Sequence, residues 1–404
     1  MVQLKMSDRC RNLKSPIRDL VIVGKELQRK GKKIFWFNIG DPNKFDFDTP
    51  KHLKNALKEV VNGKAGHYSD SDGDEELINA IVKKEKNVNG VHISTKDVVV
   101  TNGISEGIQL MLNAIIHPGK GEEILMPGPA YPVYRELTKF SGGVPVTYKL
   151  DEENKWQVDI DDLRYKITNK TKIIVIISPN NPTGSVLNKK ALKKIINIAG
   201  EFDIPIASDE IYDRLVFGET DFHSTASLSN DVPVIGLNGF SKVYLVPGWR
   251  CGYIYFHDPE GKLNEIKEGI RAQARQRLSA CTPVMKACAR AFNDDSHIPM
   301  LVKKIKERAE FAFKRLNEIK GISTVKPEGA FYIFPKIELN GVWKSDEEFS
   351  YDVLKNIGIA LPYGSGFDPV FGKNHFRSVV LPPIEVMDEA FSLLDNFMRR
   401  KISG

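Results

Sequence analysis

The run Asn238-Gly239-Phe240-Ser241-Lys242-Val243-Tyr244-Leu245-Val246-Pro247-Gly248-Trp249-Arg250 sets a lysine just past an apolar stretch and an arginine eight residues beyond it. An amine that is to add to an aldehyde must be partly neutral. A neighbouring cation and poor access to solvent lower its pKa. A planar, always-charged arginine also suits a phosphate. The competing reading is a surface lysine and a surface arginine. Three further segments carry the same double reading. In Val98-Val99-Val100-Thr101-Asn102-Gly103-Ile104-Ser105 a strand enters a small-residue turn and then a helix. The N–H groups of that helix start, with the Ser105 hydroxyl, can cradle a phosphate; alternatively Ser105 is a plain N-cap. The apolar run Ile173–Ser178 is followed by Pro179-Asn180-Asn181-Pro182-Thr183-Gly184. This stiff turn lies where ligands of open α/β sheets bind, and an amide there can bond a ring oxygen; an ordinary turn is the alternative. Finally, Ile206-Ala207-Ser208-Asp209-Glu210-Ile211-Tyr212 ends a run on a carboxylate with a tyrosine three residues on. Asp209 can pair with a protonated pyridine nitrogen, or can simply cap a helix.

Such side chains meet only if strand ends bring them together. Short apolar runs recur at Val98–Thr101, Ile124–Met126, Ile173–Ser178, Pro205–Ser208, Val234–Leu237 and Gly252–Phe256, with helical patterns between. Runs this apolar are typical of strands buried on both faces, so an α/β fold with a mainly parallel central sheet is expected. A chain of 404 residues is long for one domain. A large domain over 49–295 is expected, with a smaller α+β domain from 1–48 and 296–404. Within the smaller part a helix is predicted over 17–31 and a strand over Lys33–Gly40. After a long helical pattern over 285–320, strands are predicted at Thr324–Lys326, Phe331–Phe334 and Ser378–Leu381. A helix is predicted at Asp346–Ile357 and another at the end.

Composition excludes several classes. The formal net charge of +6 is dispersed, and the one basic run, Gln28–Lys33, follows an amphipathic stretch and reads as a solvated helix end. Nucleic-acid binding is therefore not expected. There is no GxxxxGK[ST] and no HExxH, and Gly364-Ser365-Gly366 is not followed as a dinucleotide fingerprint requires. No metal site is expected. Cys10, Cys251, Cys281 and Cys288 contain no CxxC pair and read as buried thiols of a reducing compartment. Met1–Leu20 is charged, without an apolar core, and no window reaches eighteen uninterrupted apolar residues. A cytoplasmic protein without a membrane span is the expectation.

The four segments in this order, with Ser178–Gly184 reading SPNNPTG, Asp209–Tyr212 reading DEIY and Ser241–Tyr253 reading SKVYLVPGWRCGY, resemble the class I/II aminotransferases of the fold-type I pyridoxal-phosphate enzymes. The resemblance covers nearly the whole chain and implies pyridoxal 5'-phosphate as cofactor, with ping-pong transfer of amino groups between amino acids and 2-oxo acids. It implies that Lys242 bonds the cofactor and shuttles a proton, and that Asp209 binds the ring nitrogen. Tyr212 and Asn181 would contact the phenolic oxygen, and Tyr131 would stack on the ring. Gly103, Ile104, Ser105 and Arg250 would hold the phosphate, with Ser241 beside it. Tyr68 would reach the phosphate of the neighbouring subunit in a homodimer. Arg377 would clamp the substrate carboxylate, with Gly40 and Asn181 near it. One position departs from the pattern: many relatives carry Ser where this chain has Gly239. The stretch Arg277–Pro283, with the lysine segment, looks most like alanine aminotransferases. Arg277 would then meet a distal carboxylate or form a structural ion pair. Aspartate or aromatic amino acids as substrates, a C–S β-lyase on the same scaffold, and a regulator with an aminotransferase-like domain are the alternatives.

Overall fold

A computed structural model of the chain describes residues 4–11 and 13–403. Its centre is an eight-stranded sheet built from β1 (Val98–Thr101), β2 (Glu123–Gly128), β3 (Val144–Asp151), β4 (Gln157–Val158), β5 (Thr171–Ile177), β6 (Ile206–Asp209), β7 (Val234–Gly239) and β8 (Gly252–His257). In space they run β1-β8-β7-β6-β5-β2-β3-β4. The five strands β7, β6, β5, β2 and β3 pair in parallel, while β8 is antiparallel to both β7 and β1. Val98, Val99 and Val100, and Ile173 through Ile176, are fully buried, as strands covered on both faces must be.

Helix α1 (Pro16–Arg29) precedes the sheet, and α2 (Glu75–Asn89), α3 (Ile104–Ile115) and α4 (Pro132–Phe140) pack within its part of the chain. Beyond it lie α5 (His297–Asn317), α6 (Asp346–Ile357) and α7 (Ile384–Ser403). The two ends of the chain share a layer: Phe35–Trp36 pairs in parallel with Ile359–Ala360. Tyr332–Ile333 pairs antiparallel with Ser378–Val379, which brings the strand before Arg377 and the strand after it together.

Several local expectations need correction. Val144–Asp151 was not anticipated as a strand. It contains Pro145 and exposes one end, so its apolar signal is diluted. The strand expected over Lys33–Gly40 contracts to Phe35–Trp36. That expected at Thr324–Lys326 lies at Ile322–Ser323, because the Thr324 amide donates to Asn317 Oδ1 instead of a ladder. The helical pattern over 285–320 breaks before α5. There Asp295 accepts from Arg214 Nη1 (2.5 Å) and Tyr244 O–H (3.0 Å), so the turn is tied to the large sheet's loops. Cys251 and Cys288 are buried, but Cys10 and Cys281 are exposed, one on a four-residue helix without buried residues and the other at a helix N-cap. Among the described residues no helix is long and apolar enough to cross a membrane.

Candidate active site

The carboxyl ends of the parallel strands open into a cavity of about 720 Å³, the usual location for a ligand in an open α/β sheet. Lys242 stands three residues past β7 and donates from Nζ to the Gly40 carbonyl at 2.9 Å. Burial brings its pKa down to about 8. The carboxylate of Asp41 opposes that shift, while Arg377 and Arg250 reinforce it. Asp209 closes β6 and is 2 % exposed. Its Oδ2 accepts from Tyr134 O–H at 2.9 Å and its Oδ1 from the Ile211 amide at 3.3 Å. Burial lifts the Asp209 pKa to about 6, although the Tyr134 bond, the Ile211 amide and Lys242 pull the other way. No helix follows Asp209, so it is not a helix N-cap. Tyr212 shares a hydrogen bond with Tyr332, hydroxyl to hydroxyl, at 2.7 Å.

The inverted strand β8 explains how Arg250 comes to face the first strand. Gly252 lies opposite both Thr101 and Gly239, so the residue two before it reaches the start of α3. Arg250 donates to Pro247 O (2.9 Å) and Asn102 O (3.3 Å). Gly103 is the N-cap of α3, with φ of 74°, and a Cβ there would run into the Arg250 guanidinium. Ser105 is therefore inside the first turn, not the N-cap, and makes no capping bond. A helix N-terminus beside a guanidinium is an anion site. Gly239 also gains a physical reason. A Cβ on it would lie 2.8 Å from Gly252 Cα and 2.9 Å from Cys251 O, so the close pairing of β7 and β8 leaves no room for serine.

Arg377 is fully buried. Its Nη1 donates to Asn181 Oδ1 at 3.0 Å and its Nη2 to Asn38 O, while Nε has no protein partner. The guanidinium lies 4.6 Å from the centre of the Tyr332 ring. Gly40 fits against this corner because a Cβ would strike the Tyr332 hydroxyl. Ile104, Ser105, Tyr131, Asn181, Ser241 and Arg18 also line the cavity.

Residues 32–392 match the family model for aminotransferase class I and II. The chain belongs to that family. The glutamate-pyruvate aminotransferase AlaA of Haemophilus influenzae is 34% identical over 399 residues, covering 98% of this chain and 97% of that protein. An alanine aminotransferase of Mycobacterium bovis is 35% identical over 92% of this chain and 87% of its own length. Among solved structures, an alanine aminotransferase from Pyrococcus furiosus superposes with a TM-score of 0.95 at 50% identity, covering 98% of this chain and 100% of that one.

In this aminotransferase Gly103 acts through the start of α3 behind Ile104 and Ser105, and Gly103, Tyr68 and Arg277 do not themselves line the cavity. Tyr68 is 78 % exposed and does not line it. Arg277 is engaged structurally: Nη1 pairs with Glu106 at 2.8 Å, and Nη2 donates to Ser71 O (3.1 Å) and Val100 O (2.5 Å). The ion pair with Glu106 is present, and the buried Nε has no partner among the described residues. Three residues of the site were missed. Tyr134 follows Tyr131 by one helical turn and so reaches Asp209 from the same helix. Tyr332 lies in the strand predicted at Phe331–Phe334, whose apolar run gave no sign of a polar partner at the site. Arg18 gave no signal, since α1 reads as one amphipathic helix among many.

Proposed function

We propose that this aminotransferase exchanges amino groups between alanine and 2-oxoglutarate, with pyridoxal 5'-phosphate bound at Lys242 in a cytoplasmic homodimer. One observation carries the reading: a lysine of lowered pKa, a buried carboxylate and an arginine with an unpartnered Nε meet in one cavity. The donor set fits the cofactor. The Gly103 cradle, Ser105 and Arg250 suit its phosphate. Asp209, poised near 6 by burial, is held as a carboxylate by a cationic ring nitrogen. Tyr131 at the start of α4 offers a flat face, and Tyr212 and Asn181 offer donors for a phenolic oxygen. When bound, the ring supplies an electron sink for negative charge at the substrate Cα.

The chain's own residues do the remaining work. Arg377 binds the α-carboxylate through its fork and so fixes the direction of the Cα–H bond. Lys242 Nζ takes the Cα proton as general base, and its lowered pKa keeps a neutral fraction near neutral pH. Arg18 lines the cavity and has no ion-pair partner among the described residues. That supports a dicarboxylate as one of the partner acids. The exposed Tyr68 supports a site completed by a second subunit.

The test is a set of half-reactions. Purified protein is mixed with one amino acid at a time and the absorbance band of the lysine-linked cofactor is followed. Alanine and glutamate should both discharge the band, and Lys242→Ala should lack it along with turnover. Inert alanine and glutamate would overturn the substrate reading. Ammonia and pyruvate released from one substrate, without an oxo acid, would point to the lyase instead.

A further inference from the structure

Behind the wall that carries Asp209 lies a polar cluster, buried except at Asn89, that the chemistry above does not use. Lys84 and Glu85 project from the last turns of α2. Lys84 Nζ donates to Asp213 Oδ2 at 2.5 Å and to Glu85 Oε1 at 2.9 Å. Asn238 Nδ2 donates to the same Asp213 oxygen at 2.9 Å, and Asn89 Nδ2 does so at 3.1 Å. Glu85 is completed by Asn89 at 2.7 Å and by Tyr253 O–H at 2.5 Å. Asn238 Oδ1 in turn accepts the Gly239 amide at 2.7 Å. Burial works against the ammonium, but Asp213 and Glu85 outweigh it and hold Lys84 protonated, above its ordinary pKa. The neighbouring carboxylate of Glu210 is separately held, by Tyr255, Ser208, Ser224 and the Thr225 amide.

Position gives the cluster its meaning. Asp213 is the residue after Tyr212, and its amide closes the turn that begins at Glu210, directly after Asp209. Asn238 lies four residues before Lys242. One carboxylate oxygen therefore ties together the two segments that carry the carboxylate and the lysine of the cavity. A buried ion pair is a poor source of net stability, because desolvation offsets its attraction. A role in fixing geometry accounts better for charges placed there.

We propose that Lys84 is a positioning residue for the active site, acting through Asp213 and Asn238 to fix Asp209 and Tyr212 relative to Lys242. The inference rests on the function proposed above. Its test uses the full-length, cofactor-loaded protein and two variants. Lys84→Met removes the cation. Asn238→Ala cuts the tie without uncovering a charge, and decides the matter if Lys84→Met does not fold. The readouts are the pH midpoint of the lysine-linked absorbance band, the single-turnover rate with alanine, and KM. Folded variants should show a midpoint displaced by about one unit and a rate about 100-fold lower at little-changed KM. A folded Asn238→Ala protein with the wild-type midpoint and rate, whatever its melting temperature, would overturn the inference alone. A wild-type protein without the band would bring down the functional reading, and this inference with it.

Discussion

Replacing Arg377 by lysine keeps a positive charge and removes the fork. In the structure Nη1 donates to Asn181 and Nη2 to Asn38 O, and the buried Nε has no protein partner. A substrate carboxylate bound here takes charge-assisted bonds of about 1.5–3 kcal/mol each. A lysine ammonium is a single point on a flexible stem and cannot serve the carboxylate, Asn181 and Asn38 together. The loss is then one charge-assisted bond, about 2 kcal/mol, and one stranded buried acceptor, about 1–2 kcal/mol. The sum of about 3–4 kcal/mol corresponds to a fall in kcat/KM of about 10²- to 10³-fold. The assay is the half-reaction with alanine and with glutamate, each at limiting concentration. Both should fall by the same factor, because the α-carboxylate is common to both. An amine without a carboxylate should be handled equally by the two proteins. A loss below tenfold, or a loss for one amino acid only, would refute the assignment of Arg377 to the α-carboxylate.

Asp209→Asn should stabilise the cofactor-free protein above pH 6. Burial raises the Asp209 pKa from 3.8 to about 6. The folded state therefore keeps a proton that the unfolded chain loses across that window, and stability falls as pH rises through it. The cost reaches about 3 kcal/mol above pH 6, so the gain in melting temperature should vanish near pH 4 and be absent from the cofactor-loaded protein. Gly239→Ser should destabilise by about 1–3 kcal/mol through overpacking against Gly252 and Cys251, read by chemical denaturation, with no gain in cofactor affinity. Arg18→Ala should raise KM for 2-oxoglutarate and glutamate about tenfold or more while leaving that for alanine and pyruvate within about twofold; equal effects on all four would remove Arg18 from substrate recognition.

The strand ends of the site were legible because β5, β6 and β7 are buried on both faces, begin on apolar residues and run into polar turns. Asp209 ends such a strand and Asn181 and Lys242 follow theirs, so their convergence required only that the strands be neighbours. The residues that support them were not legible. Tyr134 and Asn238 are polar groups whose partners are 75 and 25 residues away in sequence, and no local period encodes such a pairing. Arg277 shows the converse. Its type and neighbourhood allowed a ligand role, and only the fold reveals that Nη1 and Nη2 are taken by Glu106 and two carbonyls.

Arg250 shows why spacing alone is an incomplete argument. Eight residues separate it from Lys242, and a regular helix or strand of that length would leave the two far apart. The chain instead turns through Leu245 and Arg250, both with φ of 56°, before entering β8 against the direction of β7. A left-handed conformation at a residue with a side chain costs about 1–2 kcal/mol. At Arg250 that cost is offset by the pairing of Gly252 with both neighbouring strands and by the bonds to Pro247 and Asn102. The strain lies at the residue whose guanidinium faces the Gly103 cradle, where functional sites tend to store it. An antiparallel strand inserted into a parallel sheet is thus what converts a sequence spacing of eight into a lysine and an arginine on the same cavity.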